Sequence, residues 1–82
     1  MVPRVALVTG AATRLGRAIA LALAQAGWDV AIHYRNSQVQ ASETQQDCQH
    51  INAAGRFHTF QADLFDADDC RQLAAHVGAH FG

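Results

Sequence analysis

The 82 residues include no lysine, one proline, one tyrosine and two cysteines. Without lysine, no lysine-dependent chemistry can be completed within this stretch, and a Walker-A phosphate loop, which needs Gly-Lys-Ser/Thr, is excluded. The six basic residues are all arginines (Arg4, Arg14, Arg17, Arg35, Arg56 and Arg71); against seven acids they leave a formal net charge of −1. That balance lacks the electrostatic footprint of a nucleic-acid or anionic-membrane binder. No apolar run approaches the roughly 20 residues that span a bilayer. The run Val5–Val8 is also too short for the core of a signal peptide. Cys48 and Cys70 stand in no C-x-x-C spacing, so they read as reduced thiols of a cytoplasmic protein. What is present is globular material, 50% hydrophobic and 16% charged, enough for one small domain and too little for most enzymes.

Three short apolar runs are each followed by a helix-like stretch. Val5–Val8 is continuously apolar, as suits a strand covered on both faces. Leu15, Ile19, Leu23 and Ala26 recur at helical spacing from Arg14 to Ala26, with Gly27 placed to end the helix. Alternate alanines from 18 to 26 make it thin enough to lie close on a sheet. A second strand is expected from Trp28 to Tyr34. Ser37 and Gln40 then have capping-box spacing for a polar helix running to about Ala54 and closed by Gly55. The third strand spans 57–62. Asp66 is a good N-cap for a last helix, with Asp68 and Asp69 favouring its dipole and Cys70, Leu73, Ala74 and Val77 on one side.

This order predicts an α/β fold, βαβαβα, with right-handed crossovers and a parallel sheet of the Rossmann-like, doubly wound kind. In the strand order 3-2-1 the first strand would be an exposed edge, an association hazard. Residues 1–82 are therefore expected to be the N-terminal part of a single, larger dinucleotide-binding domain.

Thr9–Arg17 joins the first strand to the first helix. Gly10 permits a tight turn, Gly16 a close approach of helix to strand, and helix N-terminal amides between them can face a pyrophosphate. The spacing is not G-x-G-x-x-G, and glycines serving packing alone are the other reading. An NAD site needs an acid at the end of the second strand. Here that end reads Tyr34-Arg35-Asn36-Ser37, while Asp29 lies at the opposite end. A guanidinium beside neutral donors suits a 2′-phosphate and hence NADP(H); a solvated loop arginine and a plain helix cap are the alternatives for Arg35 and Ser37. Arg14 can be a first-turn surface arginine, but a cation at a helix N-terminus opposes the dipole and so argues for a nearby anion.

These residues resemble a known family. Thr9-Gly10-x-x-x-Arg14-x-Gly16 is similar to the Thr-Gly-x-x-x-Gly-x-Gly fingerprint of the short-chain dehydrogenase/reductases, with arginine for the middle glycine. Gly10–Arg17, His33-Tyr34-Arg35-Asn36-Ser37 and Gln61-Ala62-Asp63-Leu64 together look like the pteridine reductases. The resemblance implies cofactor contacts from Gly10, Arg14, Leu15, Gly16, Tyr34, Arg35, Asn36, Ser37, Asp63 and Leu64. Asp63 and the following amide would meet adenine, although an Asx-turn explains Asp63 equally well. It also implies a small-molecule substrate, a pterin or else a 3-oxoacyl or sugar carbonyl, and a homo-oligomer, dimer or tetramer, when complete. The family's Ser and Tyr-x-x-x-Lys set is missing: Tyr34 is followed at the fourth position by Gln38. No catalytic residue is assigned, and the chain alone is expected to be inactive. A non-catalytic nucleotide-sensing module is the competing reading. His76 and His80 have zinc-like spacing but lack the intervening Glu and further ligands, so no metal is assigned.

Overall fold

The structure, a computed structural model, describes residues 4–81; the two ends of the expected 1–82 span, residues 1–3 and 82, lie outside them. All six expected elements are present: β1 (Val5–Val8), α1 (Arg14–Gln25), β2 (Asp29–Tyr34), α2 (Gln38–Ile51), β3 (Phe57–Gln61) and α3 (Ala67–Phe81). The sheet is parallel in the order β1-β2-β3. The chain thus has the βαβαβα arrangement of the first half of a Rossmann-like domain, and β1 lies at an edge.

Strand pleating sorts the side chains onto two faces. Val8, Ile32 and Val30 share one face with Phe57, since Val8 pairs with Ile32 and Val30 with Phe57. Against them lie Ala20 and Ala24 of α1 and Ala41 and Cys48 of α2, which complete the core. The small alanines let α1 approach closely, and Val30 and Ile32 are fully buried. Each large aliphatic side chain so placed contributes about 1.5–3 kcal/mol. The other face carries α3: His58 stacks on His80 with ring centroids 4.3 Å apart, and Phe60 meets Phe81 at 6.3 Å. Leu7 lies on this second face and is 42% exposed, because one helix does not cover it.

Several local expectations need correction. Ser37 takes the N-cap position of α2, but its side chain makes no capping bond. Its backbone (φ −94°, ψ 60°) is not the extended conformation that aims a cap hydroxyl at the first turn. The helix ends at Ile51 and not near Ala54, because the Gln49 amide turns back onto the carbonyls of Ala53 (3.2 Å) and Gly55 (2.9 Å). Trp28 precedes β2 instead of opening it. On α3, Leu73 is buried and Cys70 and Val77 half-buried, but Ala74 is exposed. Asp66 does cap α3, accepting from the amides of Asp68 (2.8 Å) and Asp69 (3.1 Å).

Candidate functional site

The loops after the three strands meet at the carboxyl end of the sheet, where open α/β sheets bind ligands. The first loop turns at Gly10, whose φ of +61° is the left-handed conformation that glycine adopts without steric cost. The Ala11 amide then donates to the His33 carbonyl (2.9 Å), fastening the turn to β2. At Gly16 the fit is tighter still. A Cβ there would lie 2.0 Å from the Gly10 oxygen, so only glycine lets the first turn of α1 rest on the loop.

Arg14 begins α1 with φ +55°. It stands where the fingerprint carries its middle glycine, and the backbone keeps a conformation that costs a side-chain-bearing residue about 1–2 kcal/mol. Thr13 makes no side-chain cap, and no acid lies in the first turn of α1. The Arg17 amide donates to the Thr13 carbonyl (3.3 Å), whereas the amides before it in α1 have no acceptor within the helix and could donate to an anion. Leu15 is 73% exposed beside them.

The same loop is braced from α2. Thr44 is fully buried, with Oγ1 3.1 Å from the Gln40 carbonyl and 3.4 Å from that of Ala12. Its one proton serves one of these at a time, while Arg17 donates to the oxygen (3.2 Å) and also pairs with Asp47. Arg17 is thereby a brace between helices, not a ligand group.

At the end of β2, Tyr34 packs half-buried against the core, and Asn36 is exposed. The Arg35 carbonyl accepts from Gln61 (3.1 Å). The Arg35 guanidinium is about half exposed (55%). It lies over the Phe65 ring (5.6 Å) and 3.8 Å from Asp63 Oδ2. No acid stands at the end of β2; the carboxylate near Arg35 comes from the exit of β3. An exposed pair at that distance is weak and exchangeable, worth about 0–1 kcal/mol. Asp63 also accepts from the Phe65 amide (3.0 Å), forming the Asx-turn, and its own amide donates to Asp69 Oδ2 (2.9 Å). Leu64 follows, 42% exposed. Asp29, at the far end of β2, pairs with Arg56 (3.1 Å).

Beyond the residues expected from the sequence, the structure adds His33. It is 4% exposed, with Nδ1 3.1 Å from the Gly10 amide and Nε2 2.9 Å from the Ala62 carbonyl. A polar residue on a strand flanked by apolar ones was the available signal. Burial pushes the Cys48 thiol up to about 11, with the Arg17 charge opposing and Asp47 adding to the rise. Desolvation, then the neighbouring His80, lowers the pKa of His58. Among the described residues no group of three or more His, Cys, Asp or Glu could hold a metal ion, and no helix is long and apolar enough to cross a membrane.

Residues 4–82 match the family model of the short chain dehydrogenases. An uncharacterized oxidoreductase of Mycobacterium tuberculosis is 46% identical over 80 residues, covering 96% of this chain and 29% of that protein. A 3-oxoacyl-[acyl-carrier-protein] reductase of Staphylococcus aureus is 38% identical over 78 residues, covering 94% and 30%. The chain thus spans less than a third of the length of these relatives. A Burkholderia cenocepacia protein classed as a dehydrogenase, solved with NADP bound, superposes with a TM-score of 0.90 at 40% identity, over 98% of this chain and 31% of that one. By its fold, its glycine loop and this match, the chain belongs to the short chain dehydrogenase family.

Proposed function

We propose that residues 1–82 are the NADP(H)-binding first part of one dinucleotide domain in a cytoplasmic short-chain reductase that acts as a homo-oligomer. The observation that carries this reading is Arg35: a half-exposed guanidinium at the end of β2, where a carboxylate would be needed to accept from an unphosphorylated ribose. The fit to the cofactor rests on the loop from Gly10 to Gly16: Gly10 makes the turn at φ +61°, and the bare Gly16 lets the N-terminus of α1 lie directly on that loop. Arg35, Asn36 and Ser37 would hold the 2′-phosphate, and the Ser37 hydroxyl is free of its own helix for that purpose. A dianionic phosphate outcompetes the lone Asp63 carboxylate for a forked donor. Gly10, Arg14, Leu15 and Gly16 would face the pyrophosphate, and Tyr34, Asp63 and Leu64 would border the adenosine. When bound, the nicotinamide supplies a hydride; the residues of this chain bind and orient, and none is assigned to proton transfer.

For the substrate we favour a pterin, on the strength of Arg14 together with the segment His33–Ser37. The staphylococcal 3-oxoacyl reductase favours a second reading, a 3-oxoacyl carbonyl. The full-length protein, assayed with NADPH and NADH as wild type and as Arg35→Asp, tests the cofactor reading. Arg35→Asp is expected to lower the NADPH preference at least about tenfold, as befits loss of a charge-assisted pair. An unchanged ratio removes Arg35 as the selector. Turnover of a dihydropterin against a 3-oxoacyl thioester separates the two substrates, and turnover of neither favours a sensing module.

A further inference from the structure

We infer that His33 is a positioning residue for the dinucleotide site, holding the Gly10 turn against the exit of β3 through both nitrogens of a neutral ring. The inference rests on the cofactor reading above and adds a residue which that reading does not use. The Gly10 amide can only donate, so Nδ1, 3.1 Å away, must accept. The Ala62 carbonyl can only accept, so Nε2, 2.9 Å away, must carry the proton. The two partners therefore dictate the tautomer. The main chain reinforces the tie: the Ala11 amide donates to the His33 carbonyl, and the Ala62 amide to the Tyr34 carbonyl (3.1 Å).

A buried imidazole is costly unless both nitrogens are satisfied, and an aliphatic residue would fill a strand interior without that demand. His33 spends both nitrogens on backbone groups next to candidate ligand residues. Gly10 opens the pyrophosphate turn, and Ala62 directly precedes Asp63 and Leu64. With its amide engaged inward, Gly10 is held at φ +61°, and the turn presents the later amides, those of the α1 N-terminus, to the ligand side. The ring thus sets the spacing between the pyrophosphate and adenosine ends of the site without touching cofactor.

Three substitutions in the full-length protein separate the parts. The Oδ1 of an Asn stands at the same branch position as Nδ1, so His33→Asn keeps the acceptor for Gly10. His33→Gln reaches farther and keeps only the donor to Ala62. His33→Leu keeps neither. Titrated with NADPH and NADH, His33→Leu is expected to raise both Kd values roughly tenfold or more while leaving their ratio unchanged, since the phosphate contact lies on Arg35. His33→Asn is expected to recover most of the affinity, and His33→Gln little. Nitrogen-15 NMR of the wild-type ring is expected to show an imine-type Nδ1 coupled to the Gly10 amide proton and an NH-type Nε2. Wild-type Kd values in folded His33→Leu overturn the inference, as does a ring protonated at Nδ1. Should His33→Leu fail to fold, the order of Asn and Gln decides, and tighter binding by Gln overturns it. If the wild type binds neither dinucleotide, the cofactor reading fails; the ring spectrum still shows whether His33 ties the two loops.

Discussion

The carbonyl oxygen of Gly10 occupies the place where the Cβ of any other residue at position 16 would stand, 2.0 Å from it. Both atoms in that conflict belong to backbone, so no rotamer change can relieve it. Gly16→Ala is therefore expected to destabilise the fold by about 3 kcal/mol, the upper end of overpacking costs. Gly10→Ala meets no neighbouring atom and bears only the left-handed backbone, about 1–2 kcal/mol. Urea unfolding of the two variants gives the ranking. Equal losses would mean that α1 does not rest on the loop.

Arg14 poses the opposite case, a side chain kept at φ +55° where glycine would be unstrained. Relief of that strain, about 1–2 kcal/mol, is partly offset by the 0.5–1 kcal/mol that glycine costs in a helix. Arg14→Gly is accordingly expected to stabilise by up to about 1.5 kcal/mol while weakening NADPH binding. Denaturant midpoints and cofactor titration check the two halves. A variant that gains stability and loses no affinity would leave the arginine without a ligand role.

The elements were legible wherever one local rule decided them. Val5–Val8 is bounded by its own composition, and Gly27 ends α1 through its positive φ. Asp66 caps α3 by a bond two or three residues away. Legibility failed where a competing local contact intervened, as when Gln49 took the carbonyls beyond α2. It failed also where the partner lay far along the chain. His33 meets groups 23 and 29 residues away. Asp63 reaches Arg35 only because β3 pairs in parallel with β2, Tyr34 opposite Gln61. The residue types of the site could be read one by one, whereas the ties between its loops depend on strand register, which no local pattern encodes.

The two cysteines are expected to differ sharply toward a thiol reagent. Cys48 is fully buried among α1 and α2, with its thiol pushed up to about 11, so almost no thiolate forms near neutral pH. Cys70 is half-buried near the surface. A chromogenic disulfide is expected to titrate one thiol quickly in the native protein and the second only on unfolding. Two fast equivalents would show that α2 opens readily from the sheet.

His58 gives the fold a pH dependence whose sign follows from its surroundings. Desolvation and the stacked His80 lower its pKa below the ordinary 6.5. The unfolded chain therefore binds this proton first as pH falls. Its contribution is fully present above pH 6.5 and is lost as pH drops through the lowered value. Urea midpoints are expected to fall between about pH 7.5 and about pH 5, and less steeply in His58→Gln. His80→Gln should flatten the slope only in part, since desolvation, the larger cause, remains. A slope unchanged by His58→Gln would place the acid sensitivity outside the contact between α3 and β3.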